Sequence, residues 1–375
     1  MGEEEHKPIV PSKRGLTYAK RKFEPKSARK GEPEFFMDEG MRRLSTPWSV
    51  ASIRAGQIDP LSLPAGVILD AAAGSGIQLI AFSKILKRPA LGIELDEDVA
   101  KLCAANMQLS SEGEVQRSLD RVLVGDGGSA ESAMTCYWAS LRDAGTRAHP
   151  PVAMLHLDPA RPRDAQNHSL EEMEPDIKTV LKSWSSHLQI GPNGPAVLLD
   201  LSPRLDAVQR AMVDGILETT FPGSSWTWEW LSRGGGRVDR LSVWVGSLSS
   251  SSSNRCIRVG RKNIIASIEG DSSGAVESSF NSVMEIPRGA YLTIVDPVLI
   301  ESGLQNSWHD MAVGSGTGSS WVRIEGRRPM LIHTDELSGD DEVRGFVVAT
   351  GKIVQHRLSA PELHTIDQVA SSVAK

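Results

Sequence analysis

The chain has 375 residues, 40% of them apolar, with 41 Lys and Arg against 47 Asp and Glu for a net charge of -6. That length and apolar content suit two domains with real cores, and the acidic balance excludes a uniformly basic nucleic-acid coat, so any such contact must come from local basic patches. Its three cysteines, Cys103, Cys136 and Cys256, lie far apart, which excludes a disulfide framework or a readable metal site and points to a reducing, cytoplasmic compartment.

Residues 1–34 are polar, with basic clusters at Lys13-Arg14 and Lys20-Arg21-Lys22, and read as a flexible arm. Their acidic opening, "MGEEEHKPIV", is unlike a signal peptide and lacks the hydroxyl residue of a myristoylation site. Residues 35–65 read as a helical segment. Two short helices are expected there, broken at Pro47, with Thr46 capping the second and Pro at its first position. No apolar run in the chain approaches the roughly 18 residues that cross a bilayer.

From residue 66 an alternation sets in. "GVILDAA" predicts a buried strand, and 77–87 a helix. "PALGIEL" and 96–110 repeat the unit, as do "RVLVGD" and 128–142, "VAMLHLD" and 171–189, and "PAVLLDL" and 203–218. Continuous apolar strands separated by amphipathic helices predict an α/β fold, a parallel sheet covered on both faces. The ending differs. "SWTWEWLS" and "DRLSVWVG" are separated only by "RGGGRV", too short for a crossover helix, so this pair closes the sheet as an antiparallel hairpin. A Rossmann-like sheet of seven strands ending in such a hairpin is the pattern of class I methyltransferases, expected here over 66–248. The Ser-rich stretch at 249–256 reads as a linker. Residues 257–375 read as a small α+β domain.

The turn after the first strand, "LDAAAGSG", presents Asp70, Ala72, Gly74 and Gly76. A dinucleotide fingerprint needs a third glycine three residues after the second. Leu79 occupies that place. S-adenosylmethionine, which has no pyrophosphate, does not need that glycine. Glu94 ends the second strand, with Leu95 beside it, and is placed to accept hydrogen bonds from both ribose hydroxyls. Asp126 ends the third strand, beside Gly127, and is placed to meet the adenine amino group. Asp70 is expected near the methionine ammonium. The cofactor expected from these residues is S-adenosyl-L-methionine, with no metal.

The fourth strand runs into Asp158-Pro159-Ala160-Arg161, at the carboxyl end of the sheet where ligands of open α/β sheets bind. An acceptor-rich turn there suits an N–H group on a flat heterocycle. Methylating a pyrimidine carbon would need a nucleophilic cysteine. None follows the fourth or fifth strand; Ser202 and Pro203 stand there instead. Transfer to nitrogen or oxygen is therefore favoured. Arg161, Arg163, Arg204, Arg233 and Arg237 fall on the same edge and suggest a rim that binds phosphates.

These residues resemble the class I methyltransferases that carry a THUMP-like domain. "FFMDEGMRRLSTP" is similar to that group's pre-domain helix, and Asp158 to Arg161 match its Asp-Pro-Ala-Arg motif. "WLSRGGG" resembles its last hairpin, and "YLTIVDPVLIESGL" its C-terminal module. Ala72 and Ala73 stand where the group has Gly and Cys, so close approach at Ala72 requires a negative φ. The resemblance implies a methyltransferase domain joined to a module loosely similar to RNA-binding THUMP domains, with RNA (tRNA or rRNA) as partner. The expected activity is methylation of a base nitrogen. The alternatives are an interaction module that binds the cofactor without turnover, and methylation of a small molecule or protein.

Overall fold

The computed structural model describes residues 5–27, 30–111, 118–160, 169–272, 289–314, 317–322 and 328–353. The N-terminal elements are β1 (Lys7–Ile9), α1 (Lys13–Lys22), α2 (Glu39–Leu44) and α3 (Trp48–Gly56). The alternation follows as β2 (Val67–Asp70), α4 (Ile77–Leu86), β3 (Ala90–Glu94), α5 (Glu97–Ser110), β4 (Arg121–Val124), α6 (Ala130–Asp143) and β5 (Val152–Leu157). It continues through α7 (Ile177–Trp184), a two-residue β6 (Ile190–Gly191), β7 (Gly194–Leu201), α8 (Ala207–Thr220), β8 (Trp226–Ser232) and β9 (Arg240–Gly246).

β2 and β5 are buried along their whole length, as apolar strands covered on both faces must be. Asp96 caps α5 by accepting the N–H groups of Asp98 and Val99, and Asp206 with Gln209 makes a capping box on α8. α7 is shorter than the helix expected over 171–189. Pro175, ahead of its N-cap Asp176, keeps the preceding residue out of helical conformation.

The sheet order is β4-β3-β2-β5-β7-β9-β8 through its centre. β2, β3, β4, β5 and β7 pair in parallel, while β9 lies antiparallel to both β7 and β8. Numbered by chain order without β6, the seven strands run third, second, first, fourth, fifth, seventh, sixth. This is the class I methyltransferase order, and the fold is of that class. The order reverses between β2 and β5, so the ligand crevice opens at the carboxyl ends of these strands.

Two expectations are corrected. The N-terminal stretch is not an arm along its described length. β1 pairs antiparallel with β4, and α1, capped by Ser12, buries Leu16 and Ala19 against Phe36, Leu102 and Ala105. Its charged exterior masks an apolar i, i+3 spacing. The Ser-rich stretch is not a boundary either. Its hydroxyls make a turn, with Ser250 N–H donating to Thr227 Oγ1 at 2.9 Å and Thr227 donating to the Ser252 carbonyl at 2.8 Å. The turn delivers β10 (Asn254–Val259) parallel to β8, and β11 (Ile264–Gly270) follows antiparallel.

Beyond lie β12 (Tyr291–Val295), α9 (Pro297–Glu301), α10 (Gln305–Ala312), β13 (Ser319–Val322), β14 (Met330–His333), α11 (Asp341–Arg344) and β15 (Val347–Lys352). Their strands form a second sheet, β13-β14-β12-β15. Val298, Leu299, Trp308 and Phe346 share one core with Trp228, Trp230 and Leu241 of the main sheet.

Candidate active site

The turn from β2 into α4 depends on its two glycines. Gly74 has φ +51° and Gly76 φ +78°, values that side chains with a Cβ rarely adopt. Ala72 meets its condition, because Lys87 is the one non-glycine among the described residues with positive φ. A Cβ at Gly76 would come within 2.7 Å of Cys103 Sγ, whereas one at Gly74 would meet nothing within 4 Å. The turn is therefore locked from beneath and bare on top.

Glu94 is tied to this turn. Its Oε2 accepts the Gly74 N–H at 2.9 Å and its Oε1 the Asp96 N–H at 3.0 Å. Burial raises its pKa, against the pull of these two bonds. Leu95, next in sequence, leaves 69% of its surface exposed, an apolar patch beside a carboxylate. Asp126 is exposed and accepts the Gly128 N–H at 2.8 Å. Gly127 lets its loop touch the first turn, since a Cβ there would lie 1.9 Å from the Ala71 carbonyl oxygen.

Asp70, expected near the methionine ammonium, ends β2. Its carboxylate turns inward, to His156 Nδ1 at 2.9 Å and to the Ala72 N–H at 3.2 Å. Beneath the crevice it joins an ionic layer that the sequence reading missed. His156 Nε2 lies 3.2 Å from Asp200 Oδ2. Arg54 grips Asp200 with both terminal nitrogens and donates to Gln78 Oε1 at 2.9 Å. Gln78 Nε2 donates to Asp158 Oδ2 at 2.8 Å. Arg240 reaches Asp158 Oδ2 at 3.3 Å and Asp200 Oδ2 at 3.4 Å, and also donates to Thr46 Oγ1. Thr46 is thus a buried anchor; Pro47 is the N-cap of α3. Part of the signal for this layer was present: His156 and Asp200 interrupt otherwise apolar strands, with His156 in register with Asp70.

The charges have physical consequences. Burial disfavours the His156 cation, but the carboxylates of Asp70 and Asp200 overrule it and hold its pKa at about 9. Burial likewise works against the Asp200 carboxylate, and Arg54 overrules it, holding that group well below the usual range. Burial raises the pKa of Asp158 against the pull of Arg240. A third of the Asp158 side chain is open, at 33%. Both of its contacts fall on Oδ2, and Oδ1 accepts no hydrogen bond from the described residues.

Pro159 is buried behind Asp158. Ala160 exchanges both backbone hydrogen bonds with Glu174, at 2.8 and 2.9 Å, so its carbonyl is already used. Arg161 and Arg163 lie outside the described residues. Arg204, Arg233 and Arg237 line a cleft of about 860 Å³ between the carboxyl edge of the main sheet and the second sheet. Arg42, Arg240 and Arg328, not anticipated, line it too, with Asp239 and Glu301 as its acids. Arg240 joins this cleft to Asp158.

Among the described residues no group of three His, Cys, Asp or Glu is placed to hold a metal, and no helix is long and apolar enough to cross a membrane. The thiols lie away from the acceptor edge: Cys103 beneath Gly76, Cys136 in α6 and Cys256 in β10.

No protein-family model and no curated protein matches the chain. Solved structures do. One is a Listeria monocytogenes protein described as a class I S-adenosylmethionine-dependent methyltransferase, 13% identical, with a TM-score of 0.37 over 57% of this chain and 63% of that one. Another is a precorrin-6y C5,15-methyltransferase from Geobacter metallireducens, 12% identical, TM-score 0.36, over 58% and 94% of the two chains. A third is the methyltransferase subunit of a type I restriction-modification system from Streptococcus thermophilus, 14% identical, TM-score 0.38, over 63% of this chain and 48% of that one. The chain thus spans under two thirds of the first and about half of the third. The fold class rests on this chain's own strand order.

Proposed function

We propose that the protein is an S-adenosylmethionine-dependent methyltransferase that modifies a base nitrogen in RNA, either tRNA or rRNA, in the cytoplasm. The observation that carries this reading is the bare turn at Gly74 flanked by Glu94 and Leu95, set one strand away from the open oxygen of Asp158.

The residues fit the cofactor. The Gly74 backbone leaves room for an amino-acid end, Glu94 offers a carboxylate to ribose hydroxyls, and Leu95 offers an apolar face to a purine. Asp126 stands where an amino group of that purine can donate. When bound, the cofactor supplies an electrophilic methyl group on a sulfonium. Asp158 then has the remaining work at the acceptor: Oδ1 accepts the N–H of a flat heterocycle, turns its nitrogen toward the methyl group, and can take up the proton that is lost. Little further acid–base help is needed, and proximity supplies most of the rate.

The arginine-lined cleft supports the RNA part. Arg42, Arg204, Arg233, Arg237, Arg240 and Arg328 face Asp239 and Glu301 in an otherwise acidic protein, a local surplus suited to phosphodiesters. Arg328 comes from the second sheet's side of the cleft, which we read as the THUMP-like module. The test is incubation with tritiated S-adenosylmethionine and undermethylated total RNA, then nucleoside mapping by mass spectrometry. Label in one methylated nucleoside, lost in Asp158→Asn, is the expected result. Calorimetry showing no binding of the cofactor or its demethylated product would overturn the reading; label in DNA or protein alone would overturn the substrate.

A further inference from the structure

His156 has no part in the acceptor chemistry above, yet it sits at the centre of the layer beneath it. Each ring nitrogen faces a carboxylate, Asp70 Oδ2 at 2.9 Å and Asp200 Oδ2 at 3.2 Å, and the side chain is fully buried. An ionised carboxylate has no hydrogen to give, so with both carboxylates ionised both ring nitrogens donate and the ring is an imidazolium. Phe82 of α4 covers it with ring centroids 5.3 Å apart. The charged groups around it are Asp70 of β2, Asp158 at the end of β5, Asp200 of β7, Arg54 of α3 and Arg240 of β9, with Glu229 of β8 acting on Arg54. Three carboxylates in contact with the layer, Asp70, Asp158 and Asp200, are matched by three cations, His156, Arg54 and Arg240.

We propose that His156 is a positioning residue whose fixed positive charge ties the cofactor turn to the acceptor carboxylate and keeps Asp158 ionised. The turn is reached through Asp70, whose second oxygen holds the Ala72 N–H. The acceptor is reached through Asp200, which shares Arg240 with Asp158. Replacing the ring by a neutral amide leaves three carboxylates facing two guanidiniums. Asp158, the one open to the crevice, then becomes harder to ionise. The meaning of Asp158 as acceptor rests on the proposed methyltransferase activity; the charge on His156 and its hold on Asp158 are properties of the chain without ligand.

The experiment is nuclear magnetic resonance on the full chain, labelled in the His rings and Asp carboxyls. Imidazolium signals for His156 through neutral pH are expected. In His156→Gln the Asp158 midpoint should rise by about one pH unit, the size of shift that one nearby opposite charge produces. Neutral-tautomer signals in the wild type, measurable even if the variant does not fold, would overturn the proposal. So would an unmoved Asp158 midpoint in a folded variant. Where activity is assayed, the acid limb of kcat should move upward by the same amount. A wild type with imidazolium signals but no cofactor binding would retain this proposal and remove the activity on which its meaning rests.

Discussion

Arg54 of α3 and Asp200 of β7 meet as a two-pronged ion pair, with their side chains 0% and 1% exposed. Ser242 Oγ donates to the same carboxylate at 2.8 Å, and the Trp244 ring lies 5.7 Å from the guanidinium. A helix outside the alternation is thereby pinned to the middle of the sheet. Removing one partner strands a buried charge, so Arg54→Met should lose about 3–5 kcal/mol of stability. Removing both together should cost less than the sum of the two single changes. Urea unfolding of the single and double variants measures this; additive losses would show that the two do not act as a pair.

Stability should also depend on pH, with the sign set by His156. Its folded pKa, about 9, lies above its ordinary 6.5. Its contribution is therefore complete below the ordinary value and is lost as pH rises through about 9. Asp200 acts in the opposite sense: with its pKa lowered, it contributes above the ordinary carboxylate range and that contribution is lost as pH falls through the lowered value. Unfolding midpoints across the alkaline range should fall in the wild type and stay flat in His156→Gln. Parallel curves would assign the alkaline loss to another group.

The strand order was legible because each strand is a continuous apolar run bounded by turn residues, and because "RGGGRV" cannot hold a crossover. The glycines of that turn carry a further reason which no pattern discloses. Gly234 and Gly236 hold φ at +82° and +73°, and a Cβ at either would come within 2.8 Å of the Arg258 or Arg328 guanidinium, so residues far along the chain pack over the turn. For a related cause the ionic layer was only half legible, since His156 and Asp200 break apolar strands but their cationic partners do not stand out. Arg54 and Arg240 look like surface residues in sequence, and only the packing of α3 against the sheet buries them near Asp158. Asp70, Glu94 and Asp126 show the same limit from the other side. Position at a strand end was readable, but Asp70 turns toward His156, its neighbour on β5, a fact of tertiary structure.

Glu94 should control cofactor affinity twice over, as acceptor for a sugar and as the anchor of the Gly74 N–H. Charge-assisted hydrogen bonds are worth about 1.5–3 kcal/mol. Glu94→Ala should therefore weaken S-adenosylmethionine roughly 10- to 100-fold. Titration calorimetry checks it, and an unchanged dissociation constant would place the ribose elsewhere.

Two glycine substitutions should separate fold from binding. Gly127→Ala places a methyl 1.9 Å from a backbone oxygen. The loop has to move, at a cost of about 1–3 kcal/mol or more. Gly74→Ala meets nothing within 4 Å but holds φ at +51°, a strain of about 1–2 kcal/mol. Its methyl would project from the bare side of the turn. The first variant should lower the melting temperature more, and the second should lose cofactor affinity while still folded. The reverse pattern would show that the open side of the turn is not the binding side.

Arg237 offers the cleanest test of the phosphate cleft, because its side chain is 72% exposed and its one ion pair among the described residues, with Asp239, is long at 3.7 Å. Exposed pairs of this kind contribute little to stability, so Arg237→Ala should unfold like the wild type. Each phosphate contact releases condensed counterions, and its loss should flatten the slope of log affinity against log salt by about one. Arg240→Ala should behave differently, since Arg240 also supports Asp158 and Asp200 beneath the crevice. Its loss should reduce stability and raise the Asp158 midpoint as well as weaken RNA binding. Filter binding over a salt series distinguishes the two arginines; equal slopes for wild type and Arg237→Ala would remove that residue from the RNA path.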